Sequence, residues 1–173
     1  MMSEENKALA RRFLEEAFNE GNLGLADEIF ASDYVLHDPT NPEEMRGPEG
    51  AKQFVQMYRS AFPDSHVTVE DLIAEGDKVV TRFRGRGTHQ GELFGIPPSG
   101  NQVEVSGITI SRFEGGKFVE DWTNSDTLGL MQQIGAIPEP GQEEEETRPA
   151  AAEGEGEEEK GLMDKAKDKL MGQ

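Results

Sequence analysis

Between Ser3 and Glu20 the apolar residues Ala10, Phe13, Leu14, Ala17 and Phe18 recur at intervals of three and four, the spacing of one helix face. Gly21-Asn22 ends that helix. Leu25, Ala26, Ile29 and Phe30 make a second, shorter helical face. Ser32-Asp33 then turns the chain into Tyr34-Val35-Leu36-His37, a strand that Pro39 stops. A third helix is announced by Gly47-Pro48-Glu49-Gly50, with proline in the first turn, and runs through Phe54, Val55, Tyr58 and Phe62 to Pro63-Asp64.

After Asp64 the period changes. His66 to Ala74 reads as a strand, Glu75-Gly76-Asp77 as a hairpin turn, and Lys78 to Thr88 as the partner strand. In that partner Val79, Thr81 and Phe83 alternate with Val80, Arg82, Arg84 and Arg86, so one face is apolar and the other basic. The basic row has two readings: an anion-binding group, or an outer face paired with Glu104 and other acids. Gln90 to Gly100 is a Gly- and Pro-rich loop. A long strand follows from Gln102 to Phe113, then the turn Glu114-Gly115-Gly116-Lys117, a strand from Phe118 to Asn124 and a short apolar helix from Thr127. Helices first and an antiparallel meander afterwards predict an α+β fold, with the helices packed on one face of a curved sheet.

Residues 1–137 suffice for one domain with a core of ordinary depth. Beyond Pro138 the composition turns to Glu, Gly, Pro and Ala, which cannot offset the entropy of ordering, so 138–160 is expected to be an acidic disordered linker. Residues 161–173 read as a short amphipathic tail, with Leu162, Met163, Ala166 and Leu170 on one helical side. That tail is either solvated or a docking peptide for a protein partner. Of the formal charge of −18, residues 138–173 carry 12 acids and 5 bases, a net of −7, and the remaining 23 acids and 12 bases leave −11 on the body. Such a body disfavours nucleic acid and anionic membranes, whose binding depends on neutralising phosphate. The chain has no cysteine, so disulfides, thiolate zinc sites and cysteine nucleophiles drop out. No apolar run approaches the roughly 20 residues of a membrane span, and a cytoplasmic protein is the expectation.

Candidate chemistry concentrates in Glu120-Asp121-Trp122-Thr123-Asn124-Ser125-Asp126-Thr127. Asp126 stands where the last strand passes to the last helix, four residues after the only tryptophan, Trp122. An acid facing a dehydrated aromatic cavity is suited to proton transfer. Equally, Asp is a favoured N-cap, and Asp126 precedes a helix. Trp122, Phe54, Tyr58 and Phe94 are candidates to line a cavity for a small-molecule ligand. No zinc-protease, phosphate-loop or nucleophile-elbow motif is present, and His37, His66 and His89 lack metal-binding spacing. No metal and no cofactor are expected.

Leu36-His37-Asp38-Pro39, Ala61-Phe62-Pro63-Asp64, Gly87-Thr88-His89-Gln90-Gly91, Gly95-Ile96-Pro97-Pro98-Ser99-Gly100 and the segment Trp122 to Gly135 together resemble the SnoaL-like polyketide cyclases, also called SnoaL-like ester cyclases. The resemblance runs from about Leu9 to Ile137. It implies the cone-shaped barrel of the nuclear transport factor 2-like superfamily, a strongly curved antiparallel sheet with N-terminal helices on its concave face. It also implies a homodimer, and cofactor-free ring closure by intramolecular aldol condensation with an aspartate as acid/base. On that resemblance Asp126 and His37 are the catalytic candidates and His89 a pocket-side polar residue. The alternative is a noncatalytic ligand-binding or dimerisation module of the same fold.

Overall fold

In the computed structural model the first helical stretch is α1 (Met2–Arg12), which widens into a π-helical segment over Phe13–Asn19. Next come α2 (Leu25–Ile29), β1 (Phe30–His37), the two-residue β2 (Met45–Arg46) and α3 (Gly47–Ala61). The meander β3 (His66–Glu75), β4 (Lys78–Thr88), β5 (Gln102–Glu114) and β6 (Lys117–Ser125) leads to α4 (Thr127–Gln133). Residues 2–41, 43–139 and 141 are described, and Met1–Pro138 forms one compact unit. The acidic linker and amphipathic tail expected over 138–160 and 161–173 lie outside the described residues, apart from Pro138, Glu139 and Gly141.

The six strands form one sheet in the order β2-β1-β6-β5-β4-β3, curled into an open cone around the N-terminal helices. β1 pairs parallel to β6, and the other neighbours pair antiparallel. The two hairpin turns use glycine where φ must be positive: Gly76 at 61°, and Gly115 and Gly116 at 59° and 75°. Two consecutive positive φ values match a turn whose twist follows that of the flanking strands. Phe30, assigned to the second helix by spacing, instead opens β1, with its ring stacked on Phe118 at 4.6 Å. Tertiary packing of two aromatics outweighs the local helical period there.

The core fills the concave side. Leu25, Ile29, Phe30, Tyr34, Val79 and Phe118 are almost wholly buried, and at about 25 cal/mol per Å² such side chains each contribute roughly 1.5–3 kcal/mol. The π-helical segment brings Phe13 against Phe18, Phe30 and Phe118. Its far end is fastened to the edge strand by Asn19, whose side chain donates to Val67 O at 2.9 Å and accepts from Val67 N at 2.7 Å. An edge strand left bare is a template for unwanted pairing, and these two bonds occupy part of it.

Alternation along β4 matches the sequence reading: Val79 and Thr81 are buried, while Arg82, Arg84 and Arg86 stand outside in ion pairs. Arg82 Nη2 lies 2.6 Å from Asp71, and Glu104 receives Arg84 Nη1 at 2.7 Å and Arg86 Nε at 2.6 Å. The basic row is therefore a paired outer face. In β6 simple alternation fails. Arg112 pairs with Glu120 but the next residue, Phe113, pairs with Phe118. Val119 is thus an extra residue, a β-bulge that reverses the parity of every side chain after it. Phe118 points inward before the bulge, and Asp121, Thr123 and Ser125 point inward after it.

Candidate active site

A partly open cavity of about 150 Å³ lies between the concave face of the sheet and the helices. Its wall is mostly aromatic and aliphatic, with Phe13, Phe18, Phe54, Phe62 and Phe83 among the lining residues. Phe83 reaches over Gly107, where a Cβ would sit 2.5 Å from the ring, so glycine there admits the aromatic wall. Set into this apolar surface are hydroxyls from Tyr34, Thr81, Thr109, Ser111 and Thr123. Thr109 and Thr123 bond each other at 2.8 Å across β5 and β6.

The most buried carboxyl in the wall is that of Asp121, which is 4% exposed. Burial in apolar surroundings pushes its carboxyl up to about 6, against the lowering pull of the nearby Ser111 and Tyr34 hydroxyls. Tyr34 O–H donates to Asp121 Oδ2 at 2.8 Å. Oδ1 is buried without a hydrogen-bond partner. A carboxylate whose proton affinity lies near neutrality, set in the wall of an apolar cavity with one oxygen unpartnered, can both accept and return a proton. Asp38 also lines the cavity, but its Oδ1 is engaged by Thr40 N at 2.9 Å and Thr40 Oγ1 at 2.7 Å. Tyr58 is in the wall too, its phenol pushed up to about 12, chiefly by burial and then by Asp38.

The structure brings two of the sequence candidates, Phe54 and Tyr58, to this cavity, in edge-on contact at 5.1 Å. The others lie elsewhere. Asp126 is exposed and caps α4, accepting from Gly129 N at 2.9 Å. Trp122 and His37 lie on the outer face, stacked at 5.6 Å with an interplanar angle of 19°. His37 Nε2 bonds Glu120 at 3.0 Å there, and that bond, ahead of Arg112, lowers the Glu120 carboxyl. Parity explains the pair: the bulge at Val119 sends Trp122 outward and Asp121 inward. Phe94 is exposed on the loop after β4, in the left-handed region at φ 50°.

His89 is wholly buried but outside the cavity wall. Its Nδ1 accepts from Ser99 N at 3.1 Å and lies 3.1 Å from Ser99 Oγ, while its backbone bonds Asn101 O and Gly100 N. Phe62 packs on its ring at 5.5 Å. Asp64 accepts from Thr88 N and Thr88 Oγ1, both at 2.7 Å, and Ala61 O receives Gln90 N and Gly91 N. Three of the motifs scattered along the sequence therefore interlock in one place. They fasten the Gln90–Gly100 loop to the end of α3.

Against protein-family models, residues 8–134 match the SnoaL-like polyketide cyclase family. The chain belongs to that family. Among characterised relatives of this SnoaL-like chain is aklanonic acid methyl ester cyclase DauD of Streptomyces sp. (strain C5), 31% identical over 136 residues, covering 73% of this chain and 80% of that protein. Nogalonic acid methyl ester cyclase of Streptomyces nogalater is 29% identical over 122 residues, covering 69% and 90%. A crystal structure from Jannaschia sp. CCS1, described as a SnoaL-like polyketide cyclase, superposes with a TM-score of 0.71 at 29% identity, covering 78% of this chain and 94% of the other. In this SnoaL-like chain Asp121 and Tyr34 both line the cavity. Neither residue stood out in the sequence. The signal for Asp121 was an acid beside the only tryptophan, and the bulge that turns it inward has no local signature.

Proposed function

We propose that this protein is a cofactor-independent cyclase that closes a ring by intramolecular aldol condensation, with Asp121 as its acid/base. The observation that carries the reading is the free Oδ1 of a buried carboxyl with raised proton affinity in an apolar cavity. The named substrates of the relatives, aklanonic and nogalonic acid methyl esters, suggest a polyketide-derived methyl ester. A cavity of about 150 Å³ is smaller than the ~300–1,000 Å³ common for ligand sites, so the reacting end enters and the remaining rings extend outward.

In the first step the Asp121 carboxylate removes a proton from a carbon beside a carbonyl, leaving an enolate. The enolate carbon attacks the second carbonyl, a C–C bond forms, and the C=O electron pair moves onto oxygen. The resulting alkoxide takes the proton back from Asp121. Product and substrate are isomers, and the carboxylate is regenerated. Cavity hydroxyls are placed to stabilise the oxyanions, a role that fixed dipoles fill better than water. Incubation with aklanonic acid methyl ester, followed by chromatography for a product of unchanged mass, tests the reading. Ring closure by the parental protein and its loss in Asp121→Asn are expected. Retained turnover in that variant would rule out Asp121, and binding without turnover would favour the noncatalytic module.

We propose further that the outer face of the sheet joins two copies of the chain. Trp122, Ile110, Val80 and Ile73 are successive cross-strand neighbours on it. Ile73 and Ile110 are exposed, as is the adjacent Ile108. A contiguous apolar stripe of this kind is costly to leave in water. Sedimentation velocity at several concentrations tests it, with a monomer at all of them as the adverse result.

A further inference from the structure

Tyr34 and Asp121 meet on the inner side of the parallel pair formed by β1 and β6, where Leu36 is the direct partner of Asp121. Both side chains are almost wholly removed from solvent, at 2% and 4% exposure. The ring of Tyr34 is itself fixed by Phe30, edge-on at 4.5 Å, so its hydroxyl is aimed by the core rather than by a mobile loop. That hydroxyl engages one carboxyl oxygen, Oδ2, at 2.8 Å and leaves the other without a partner. Of the two hydroxyls that pull on this carboxyl, Ser111 and Tyr34, only Tyr34 stands in hydrogen-bonding geometry to it, which makes the two oxygens chemically unequal. That bond also partly offsets the cost of holding a carboxylate away from water.

We infer that Tyr34 is a positioning residue, whose hydroxyl fixes the Asp121 carboxyl through Oδ2 and leaves Oδ1 as the oxygen that exchanges a proton with the substrate. This rests on the assignment of Asp121 as acid/base and specifies which atom acts. Burial and then the charge of Asp121 hold the Tyr34 phenol well above its ordinary range, so it remains a donor while Asp121 titrates. Asp38 and Tyr58 are the other ionisable side chains in the cavity wall, and Arg86, which borders it, is paired outside with Glu104. The chain neighbour Glu120 belongs to the outer face, bound to His37 and Arg112. The side chains that act on the Asp121 proton are Ser111 and Tyr34.

A hydrogen bond to the charged form lowers a carboxyl pKa, so its removal raises it. The test uses the full chain labelled with ¹³C at aspartate carboxyls, the Asp121 signal being identified by its loss in Asp121→Asn. In Tyr34→Phe the Asp121 midpoint is expected to rise by about 1 pH unit, the scale of one hydrogen bond to a charged group. With 3-fluorotyrosine at position 34, a stronger donor of nearly the same shape, it is expected to fall. A merely structural Tyr34 would not give opposed shifts. Unmoved midpoints overturn the inference, and the fluorinated protein decides alone should Tyr34→Phe fail to fold. The pH profile of kcat/KM for ring closure is expected to follow the midpoint. A midpoint that moves under a fixed profile would keep Tyr34 as the residue orienting the carboxyl and remove Asp121 as the base.

Discussion

Asp121 and Trp122 are adjacent in the chain and belong to different chemical worlds. Asp121 looks into the concave side, 4% exposed, where apolar walls raise its proton affinity. Trp122 looks out from the convex side, over the His37 ring and beside Ile110. The inner face has few charges, and those it has are buried or engaged. The outer face neutralises its charges in pairs such as Arg112 with Glu120 at 3.1 Å. The same strand thus serves a site for chemistry on one side and a surface for contact on the other. Strand alternation divides them, and one extra residue, Val119, decides which of the two faces inward.

The largest effect expected from this division is on turnover. Asp121→Asn should lower kcat/KM for ring closure by roughly 10²–10⁴-fold, the contribution of a positioned acid/base. Asp126→Asn should leave it within about twofold, because Asp126 is exposed and outside the cavity wall. Steady-state rates on both variants check the pair, and the reverse ranking would undo the inner-face assignment.

On the outer face, Ile110→Glu should weaken self-association by at least roughly 30-fold, since charged groups at the centre of an apolar contact cost about 2 kcal/mol or more. The cavity chemistry of that variant should be unchanged at concentrations where it is monomeric. Sedimentation equilibrium and kinetics measured together separate the two faces.

Stability should change in the opposite sense to activity at Asp121. A carboxyl raised from 3.8 to about 6 by folding binds more protons in the native than in the unfolded state between those values. Native stability must therefore fall as pH rises through that window, with no penalty below it. Two pH units correspond to about 3 kcal/mol as an order of magnitude. Asp121→Asn should accordingly be more stable than the parent at pH 7.5, by up to about that amount, with the advantage vanishing below about pH 4. Urea denaturation across pH measures it, and a constant difference would show that the carboxyl is not strained by burial.

The smallest effect concerns the cap. Asp126→Ala removes the oxygen that receives Gly129 N and should cost about 1 kcal/mol, with no dependence of ring closure on the change. Thermal unfolding and rate measurements on one preparation suffice.

Local pattern served well where neighbours in the chain were the determinants. The helical spacing over Ala10 to Phe18, proline in the first turn of α3 and the two glycine hairpins all correspond to elements of the structure. So does the two-sided character of β4, whose eleven paired residues keep one register with β5. Family membership was legible as well, although three of the five motifs that carried it fasten a loop. His89, Asp64 and Ala61 spend their polar groups on Ser99, Thr88 and Gln90. Their burial or pairing could not be told from catalytic use while their partners were unknown.

By itself, then, the sequence determined an α+β domain, the order of its helices and strands apart from the two-residue β2, its acidic body and the presence of an acid near the end of the last strand. Those are properties of composition and of periods two to four residues long. Which acid faces the cavity was decided only in three dimensions. The register of β6 depends on where Phe118 sits against Phe113 of β5 and Phe30 of β1. Those contacts are non-local, and shifting the pairing by one residue exchanges the faces of Asp121 and Trp122.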